Sequence, residues 1–296
     1  MRFSVTVVAT DIGPPLVDVA RALEASGLDG LWLPDHTHMP VSRSVPYPMG
    51  ADLPERYKRN LDPLTGLALA AAVTTRIRVG TGVLLPAQRD PIVTARALAT
   101  VDQQSGGRVV VGAGYGWNVE EMIDHGVDPA RRRSRVREHV LAMRRLWEDE
   151  VASFDGPHVS FGPCWSWPKP VQRPLPILLG GAASRTLCRH VAEYGAGWIP
   201  LGPRALEEGI GAVRDAVAAA GRDPCGLEIV PFLGPGAGRR HWDRCAALGA
   251  TEVAVDVPHD DSLLATLGAL GDAVAEWREV NGKQLPPESS TDMLTT

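Results

Sequence analysis

Long apolar runs are missing from this 296-residue chain, and no stretch approaches the ~18 uninterrupted apolar residues of a membrane span. The opening Met1-Arg2-Phe3-Ser4-Val5 lacks the basic, then apolar, then small-residue layout of a signal peptide. Cysteine is scarce. Cys164, Cys188, Cys225 and Cys245 show no Cys-x-x-Cys spacing, which excludes a disulfide framework or a zinc site and reads as reduced cytoplasmic thiols. A cytoplasmic protein without a membrane partner is therefore expected. An excess of positive charge is also missing. The 30 Lys+Arg stand against 35 Asp+Glu, a formal net charge of −5, with no long basic run, so general nucleic-acid binding is not expected. There is no Ser-His-Asp layout, no nucleophile elbow and no His/Asp cluster at metal-ligand spacing, so no metal is expected.

What is present is a regular alternation. Hydrophobic residues make up 44 % of the chain, enough for a substantial core. The spacing predicts eight strands: Arg2–Val8, Gly30–Leu33, Arg76–Gly82, Arg108–Gly114, Leu175–Leu179, Gly197–Pro200, Leu227–Phe232 and Thr251–Val257. Each is followed by a helical pattern, such as Leu16, Val19, Ala20 and Leu23, or Val136, Val140, Met143 and Trp147. Strands alternating with helices imply a parallel sheet with right-handed crossovers. Eight such units favour a closed α/β barrel, the (β/α)₈ TIM fold, with an open doubly wound sheet as the rival. One domain is expected over residues 1–280, with a frayed tail at 281–296. Two insertions interrupt the alternation. One follows the second strand, roughly Thr37 to Asn60, and one follows the fourth helix, about Asp155 to Pro174. Connections of that length are often lids or binding loops.

Active-site groups of such barrels lie at the C-terminal ends of strands, which sorts the candidates. Asp35-His36 ends the second strand; it reads either as a carboxylate and an imidazole facing the mouth or as a strand–loop junction. Gly80-Thr81-Gly82-Val83 ends the third, where bare backbone admits a ligand, a second backbone or a bulge. Gly112-Ala113-Gly114-Tyr115-Gly116-Trp117 ends the fourth. It is not a dinucleotide fingerprint, because Trp117 stands where the last glycine is needed. Tyr115 and Trp117 there are candidates to line a pocket for a flat ring. Gly180-Gly181-Ala182-Ala183-Ser184 leads into a helix and offers backbone N–H groups to an anion such as phosphate, or is a plain tight turn. Arg131-Arg132-Arg133 reads as a solvated helix approach, Cys188 as packing, and Glu120-Glu121 as a helix start.

In order along the chain, Leu31-Trp32-Leu33-Pro34-Asp35-His36, Arg78 to Leu84, Arg89-Asp90-Pro91, Gly107-Arg108 with Gly112 to Trp117, Pro176 to Gly181, and Gly195 to Ile199 form a set. That ordered set, spanning about residue 3 to about 260, resembles the luciferase-like monooxygenase superfamily, and within it the oxidoreductases that use the deazaflavin coenzyme F420. The resemblance implies a barrel with insertions and a flavin-like ring at its C-terminal mouth. It implies a non-prolyl cis peptide at Gly82–Val83 supporting the ring. Asp35 would contact the deazaflavin head group, with His36, the expected catalytic residue, near its reactive edge. Tyr115, Gly116, Val119 and Glu120 would border the ring or its ribityl chain. Gly180, Gly181 and Ala182 would hold the phosphate, with Leu179 also among the cofactor contacts. The family's sugar-phosphate dehydrogenases carry a glutamate proton donor where Trp117 stands, so sugar-phosphate oxidation is not expected and His36 remains the acid/base candidate. The implied activity is hydride transfer between F420 and a small organic substrate. The alternatives are an FMN-dependent monooxygenase using dioxygen and, of another class, a non-catalytic flavin-binding barrel. The expected partners are a small-molecule substrate and a second copy of the chain in a homodimer.

Overall fold

The computed structural model describes residues 1–48, 50 and 52–282. The chain begins with β1 (Arg2–Val7), α1 (Leu16–Ala25), β2 (Gly30–Leu33), α2 (Pro63–Ala72), β3 (Arg78–Leu84), α3 (Pro91–Ser105) and β4 (Val109–Ala113). It continues through α4 (Val119–Asp124), α5 (Arg132–Glu148), β5 (Ala152–Asp155), β6 (Ser160–Cys164), β7 (Ile177–Gly180), α6 (Arg185–Tyr194), β8 (Gly197–Ile199) and α7 (Gly202–Ala219). The series closes with β9 (Glu228–Ile229), β10 (Phe232–Leu233), α8 (Arg239–Ala247), β11 (Glu252–Val257) and α9 (Leu263–Gly282). Local chemistry sets several of the helix starts. Asp62 and Asp90 cap α2 and α3 by accepting Thr65 and Val93 N–H, each ahead of a proline at the first helical position. Gly106, in the left-handed region at φ 68°, ends α3.

The strands of the large sheet pair in the order β10-β11-β1-β2-β3-β4-β7-β8-β9, all parallel. Its two ends are halves of one strand. Glu228–Ile229 pairs with β8 and Phe232–Leu233 with β11, while Val230 and Phe232 N–H donate to Trp198 and Pro200 carbonyls. The sheet therefore closes on itself as an eight-stranded barrel. The expected seventh strand, Leu227–Phe232, is split because Pro231 has no N–H to give the ladder. The second insertion is not irregular throughout: β5 and β6 form an antiparallel hairpin within it. Two X-Pro cis peptides, Trp167–Pro168 and Arg173–Pro174, follow the hairpin. Of the expected frayed tail, residues 281 and 282 are the last of α9, and the rest lies outside the described residues.

Alternation along the strands divides two interiors. Phe3, Val5 and Val7 face outward into the helix layer, while Ser4 and Thr6 face the barrel axis. At the N-terminal end the axis is plugged by charge. Arg78 Nη1 lies 2.6 Å from Glu252 Oε2 and 2.8 Å from Glu228 Oε2, Arg2 bridges the same two carboxylates, and Ser4 Oγ and Trp32 Nε1 donate to Glu252 at 2.7 and 2.8 Å. Burial works to raise the Glu252 pKa, but Arg78, Ser4, Arg2 and Trp32 together hold it below the usual carboxylate value. Above this plug sits an apolar layer of Trp32, Val110, Leu178, Ile199, Val230 and Ala254. Trp32 fits only because Gly80 has no side chain: a Cβ there would meet the indole at 2.6 Å. The lower half of the barrel is thus filled, and the space that remains opens at the C-terminal mouth.

Candidate active site at the barrel mouth

That mouth holds a cavity of about 540 Å³, within the usual range for small-molecule sites. Asp35, His36, Gly82, Val83, Tyr115, Gly116, Gly180 and Gly181 all line it, so strand ends far apart in sequence meet there. The Gly82–Val83 peptide is cis. The Val83 side chain fills the space left by two glycines, since a Cβ on Gly114 or Gly180 would meet it at 2.5 or 2.8 Å. The insertion after β2 folds over the opening. Its Tyr47, Pro48 and Tyr57 complete the wall.

His36 is held from behind. Its Nδ1 lies 2.8 Å from Glu121 Oε2, and Glu121 Oε1 accepts Thr37 N–H at 3.0 Å. Glu121 is 0 % exposed, and His36 is buried. A carboxylate can only accept, so this contact places the Nδ1 proton toward Glu121 and leaves Nε2 for the cavity. Nε2 has no protein partner among the described residues. The imidazole is bracketed by Tyr57 and Trp117, whose ring centroids lie 5.7 and 5.9 Å away at steep angles.

Asp35 lines the cavity, but its carboxylate is already engaged. Arg89 Nε and Nη2 donate to its two oxygens at 2.7 and 2.6 Å, and Leu85 N–H adds a third bond at 3.0 Å. Burial opposes the Arg89 charge, yet the bonds and charges of Asp35 and then Asp62 carry its pKa upward. Asp256, across the mouth on β11, is held the same way by Arg56 Nη1 and Nη2 at 3.2 and 2.7 Å. Arg56 belongs to the lid insertion, so this pair also ties the lid to the barrel rim.

On the opposite wall the Tyr115 hydroxyl meets His190 Nδ1 at 2.8 Å, with the Arg133 guanidinium over the phenol ring at 5.8 Å. Burial pushes the Tyr115 phenol up to about 12 and, with Arg189, lowers His190 to about 4, so both are neutral near pH 7. At the turn into α6, Gly181 adopts φ 131°, a conformation that favours glycine. Its N–H already donates to the Ile199 carbonyl at 3.1 Å, and Ser184 caps Leu187 N–H. Among the described residues, the backbone N–H groups still without a protein partner there are those of Ala182, Ala183, Arg185 and Thr186, beside the positive end of α6.

Four of the expected cofactor contacts do not border the cavity. Leu179 faces outward by strand alternation and is fully buried in the helix-side core. Val119 opens α4, two residues beyond the cavity-lining Trp117. Glu120 turns toward the lid and accepts Ser44 N–H at 2.7 Å. Ala182 lies past Gly181 on the exposed turn. Conversely, Glu121, Arg89, Tyr47, Tyr57 and Asp256 belong to the site although sequence reasoning did not single them out for it. The ring spacing of Tyr47, Tyr57 and Trp117 arises only when the lid packs against the segment after β4 that carries Trp117. Among the described residues no group of His, Cys, Asp and Glu is arranged to hold a metal, and no helix is long and apolar enough to cross a membrane.

Comparison with known proteins places this architecture. An uncharacterized protein of Mycobacterium tuberculosis is 43 % identical over 263 residues, covering 87 % of this chain and 92 % of its own. A phthiodiolone/phenolphthiodiolone dimycocerosates ketoreductase of the same species is 28 % identical over 253 residues, 81 % of this chain and 66 % of that protein. Among solved structures, an F420-dependent secondary alcohol dehydrogenase in complex with an F420-acetone adduct superposes with a TM-score of 0.74 at 17 % identity, covering 93 % of this chain and 99 % of its own. The model of one enzyme family, described as luciferase-like monooxygenase, matches residues 8–242, and the chain belongs to that family.

Proposed function

We propose that the protein is an oxidoreductase that binds the deazaflavin F420 at the barrel mouth and exchanges hydride with an organic carbonyl or alcohol. The observation that carries this reading is His36, clasped at Nδ1 by the buried Glu121 and presenting Nε2 to a cavity whose walls are otherwise uncharged or internally paired. The residues fit such a group. Bare backbone at Gly82, Gly116 and Gly180 leaves room for a flat ring against the strand ends, and the free N–H groups at the start of α6 suit a phosphate. When bound, a deazaflavin supplies hydride capacity at a ring carbon.

The chain's own part is orientation and proton handling. Glu121 fixes the imidazole's tautomer and angle. His36 Nε2 gives a proton to a carbonyl oxygen during reduction, or takes one from a hydroxyl during oxidation. The lid, tied by Arg56 to Asp256 and by Ser44 to Glu120, excludes water. The family ketoreductase and the F420-dependent alcohol dehydrogenase noted above support carbonyl–alcohol chemistry.

Fluorescence titration with F420 and with FMN at one salt concentration tests the cofactor. F420 binding at least tenfold tighter supports this reading, and FMN binding tighter overturns it in favour of a flavin-dependent monooxygenase. His36→Ala is then expected to cut turnover by roughly 10²–10⁴-fold, the usual worth of a positioned acid or base, with little change in F420 affinity.

A further inference from the structure

Among the described residues, no Arg or Lys lines the mouth cavity. The two carboxylates that do, Asp35 and Asp256, are neutralised from behind by Arg89 and Arg56, each through two hydrogen bonds. Those guanidiniums have no reason to leave. Each is partly buried, and releasing either would strand a carboxylate in a largely apolar cavity. Both lining carboxylates are therefore paired, Arg89 being shared with Asp62 as well, and no lining residue brings an incoming anion a cation of its own.

Its lid side is aromatic. Tyr47, Tyr57 and Trp117 form a continuous wall, with ring centroids 5.0 Å apart for the two tyrosines and 5.9 Å for Tyr47 and Trp117. This wall adjoins the His36 ring. The Tyr47 hydroxyl donates to the Tyr57 oxygen at 3.0 Å, and burial and that bond raise the Tyr57 pKa, so Tyr57 adds no negative charge to the wall. Ile199 of β8, Phe232 of β10 and Leu201 just before α7 bring apolar surface to the cavity. Beside this wall stands His36, whose Nε2 has no protein partner among the described residues.

From this juxtaposition we infer the substrate class of the site: an uncharged ketone or secondary alcohol attached to a flat apolar body, its oxygen at His36 and its body against Tyr47, Tyr57 and Trp117. A phosphate or carboxylate on that flat body is disfavoured against this wall; the N–H groups at the start of α6, proposed above for the cofactor phosphate, are the part of the mouth that suits an anion. An anion would lose its hydration and find no counter-charge, whereas a neutral flat ring gains offset or edge contacts with the aromatic wall. The inference rests on the oxidoreductase reading only for the carbonyl or hydroxyl. The preference for a neutral flat body follows from the wall itself.

The test is binding to the full chain without cofactor, by calorimetry, of 2-acetylnaphthalene against 6-acetyl-2-naphthoate, which differ by one carboxylate. The neutral ketone is expected to bind at least tenfold more tightly. Equal or tighter binding of the carboxylate overturns the inference, whatever the F420 titration gives. Tyr57→Ala and Trp117→Ala are each expected to weaken ketone binding at least tenfold, and unchanged affinity in both, with melting profiles like that of the parent, overturns it. Leu201→Arg gives a gain-of-function arm. Leu201 is 56 % exposed on the cavity wall, so the change leaves the core intact. It is expected to raise carboxylate affinity by tenfold or more, and no gain would mean that the missing cation is not what disfavours anions. If neutral ketones bind as expected but F420 does not, the cofactor assignment falls and the substrate class stands.

Discussion

Replacing Glu121 probes the site from behind. Its two oxygens hold His36 Nδ1 at 2.8 Å and Thr37 N–H at 3.0 Å, with the residue fully out of solvent. Glu121→Gln keeps the shape and one acceptor oxygen but removes the charge. A hydrogen bond to a charged group contributes ~1.5–3 kcal/mol. If the imidazole carries the reaction's proton, losing that support lowers kcat about 10- to 150-fold. Cofactor affinity is expected to stay put, because the proposed phosphate and ring contacts come from other strands. Glu121→Ala goes further and leaves the buried His36 Nδ1–H without an acceptor, at ~1–3 kcal/mol. At roughly 2–4 °C per kcal/mol for a domain of this size the Tm falls by about 2–12 °C. Thermal melts, steady-state turnover and a fluorescence titration on the two variants separate these effects. Glu121→Gln with parental kcat would refute the idea that the carboxylate supports a proton-carrying imidazole. Glu121→Ala with a parental Tm would refute the buried pair itself.

Three further outcomes follow from other parts of the molecule. Gly181→Asp, at φ 131° and beside the α6 N-terminus, is expected to lower F420 affinity more than tenfold, about 1.4 kcal/mol, and unchanged affinity by fluorescence titration would put the phosphate elsewhere. Gly112→Ala would set a Cβ 2.2 Å from the Thr81 carbonyl oxygen, between backbones that cannot part cheaply, so urea unfolding should show a loss of about 1–3 kcal/mol; a neutral result would show that β3 and β4 can shift. Burial, reinforced by Arg135 at one site and Arg189 at the other, holds His139 and His190 near 4 in the fold, against about 6.5 when unfolded. Their stabilisation is complete above pH 6.5 and is lost as pH falls toward 4, by up to about 3 kcal/mol each. Urea midpoints that stay level from pH 7 to pH 4.5 would contradict it.

Much of the fold was legible because its signals are local. Strand alternation and helical spacing found all eight barrel strands and the helices that follow them, since each element carries its own apolar face. The misses have equally local causes. Pro231 interrupts a ladder without interrupting an apolar run, so Leu227–Phe232 reads as one strand. The β5–β6 hairpin has half-exposed residues and Pro163 inside it, and so shows little apolar alternation. The Trp32–Glu252 contact joins residues 220 positions apart, and no local pattern announces it.

The site divides along the same line. Residues at strand ends were found because a barrel directs them to its mouth. Residues that act from a loop or a short helix were not. Glu120 and Glu121 are adjacent, and on a helix adjacent side chains stand about 100° apart, so only one of them can face the barrel. Which one depends on how the chain leaves β4, and that path bends at Gly116, which sits at φ 77°. The turn sends Glu121 inward to His36 and Glu120 outward to the lid. One residue more or less between Gly116 and α4 would exchange their roles, leaving the composition of the motif almost unchanged. Arg89 illustrates the converse. Its position in the sequence stood out, but its work is to pair with Asp35, so the carboxylate that sequence reasoning assigned to the cofactor head group lines the cavity already neutralised. The chemistry of this mouth is decided less by which charged residues reach it than by which of them arrive already paired.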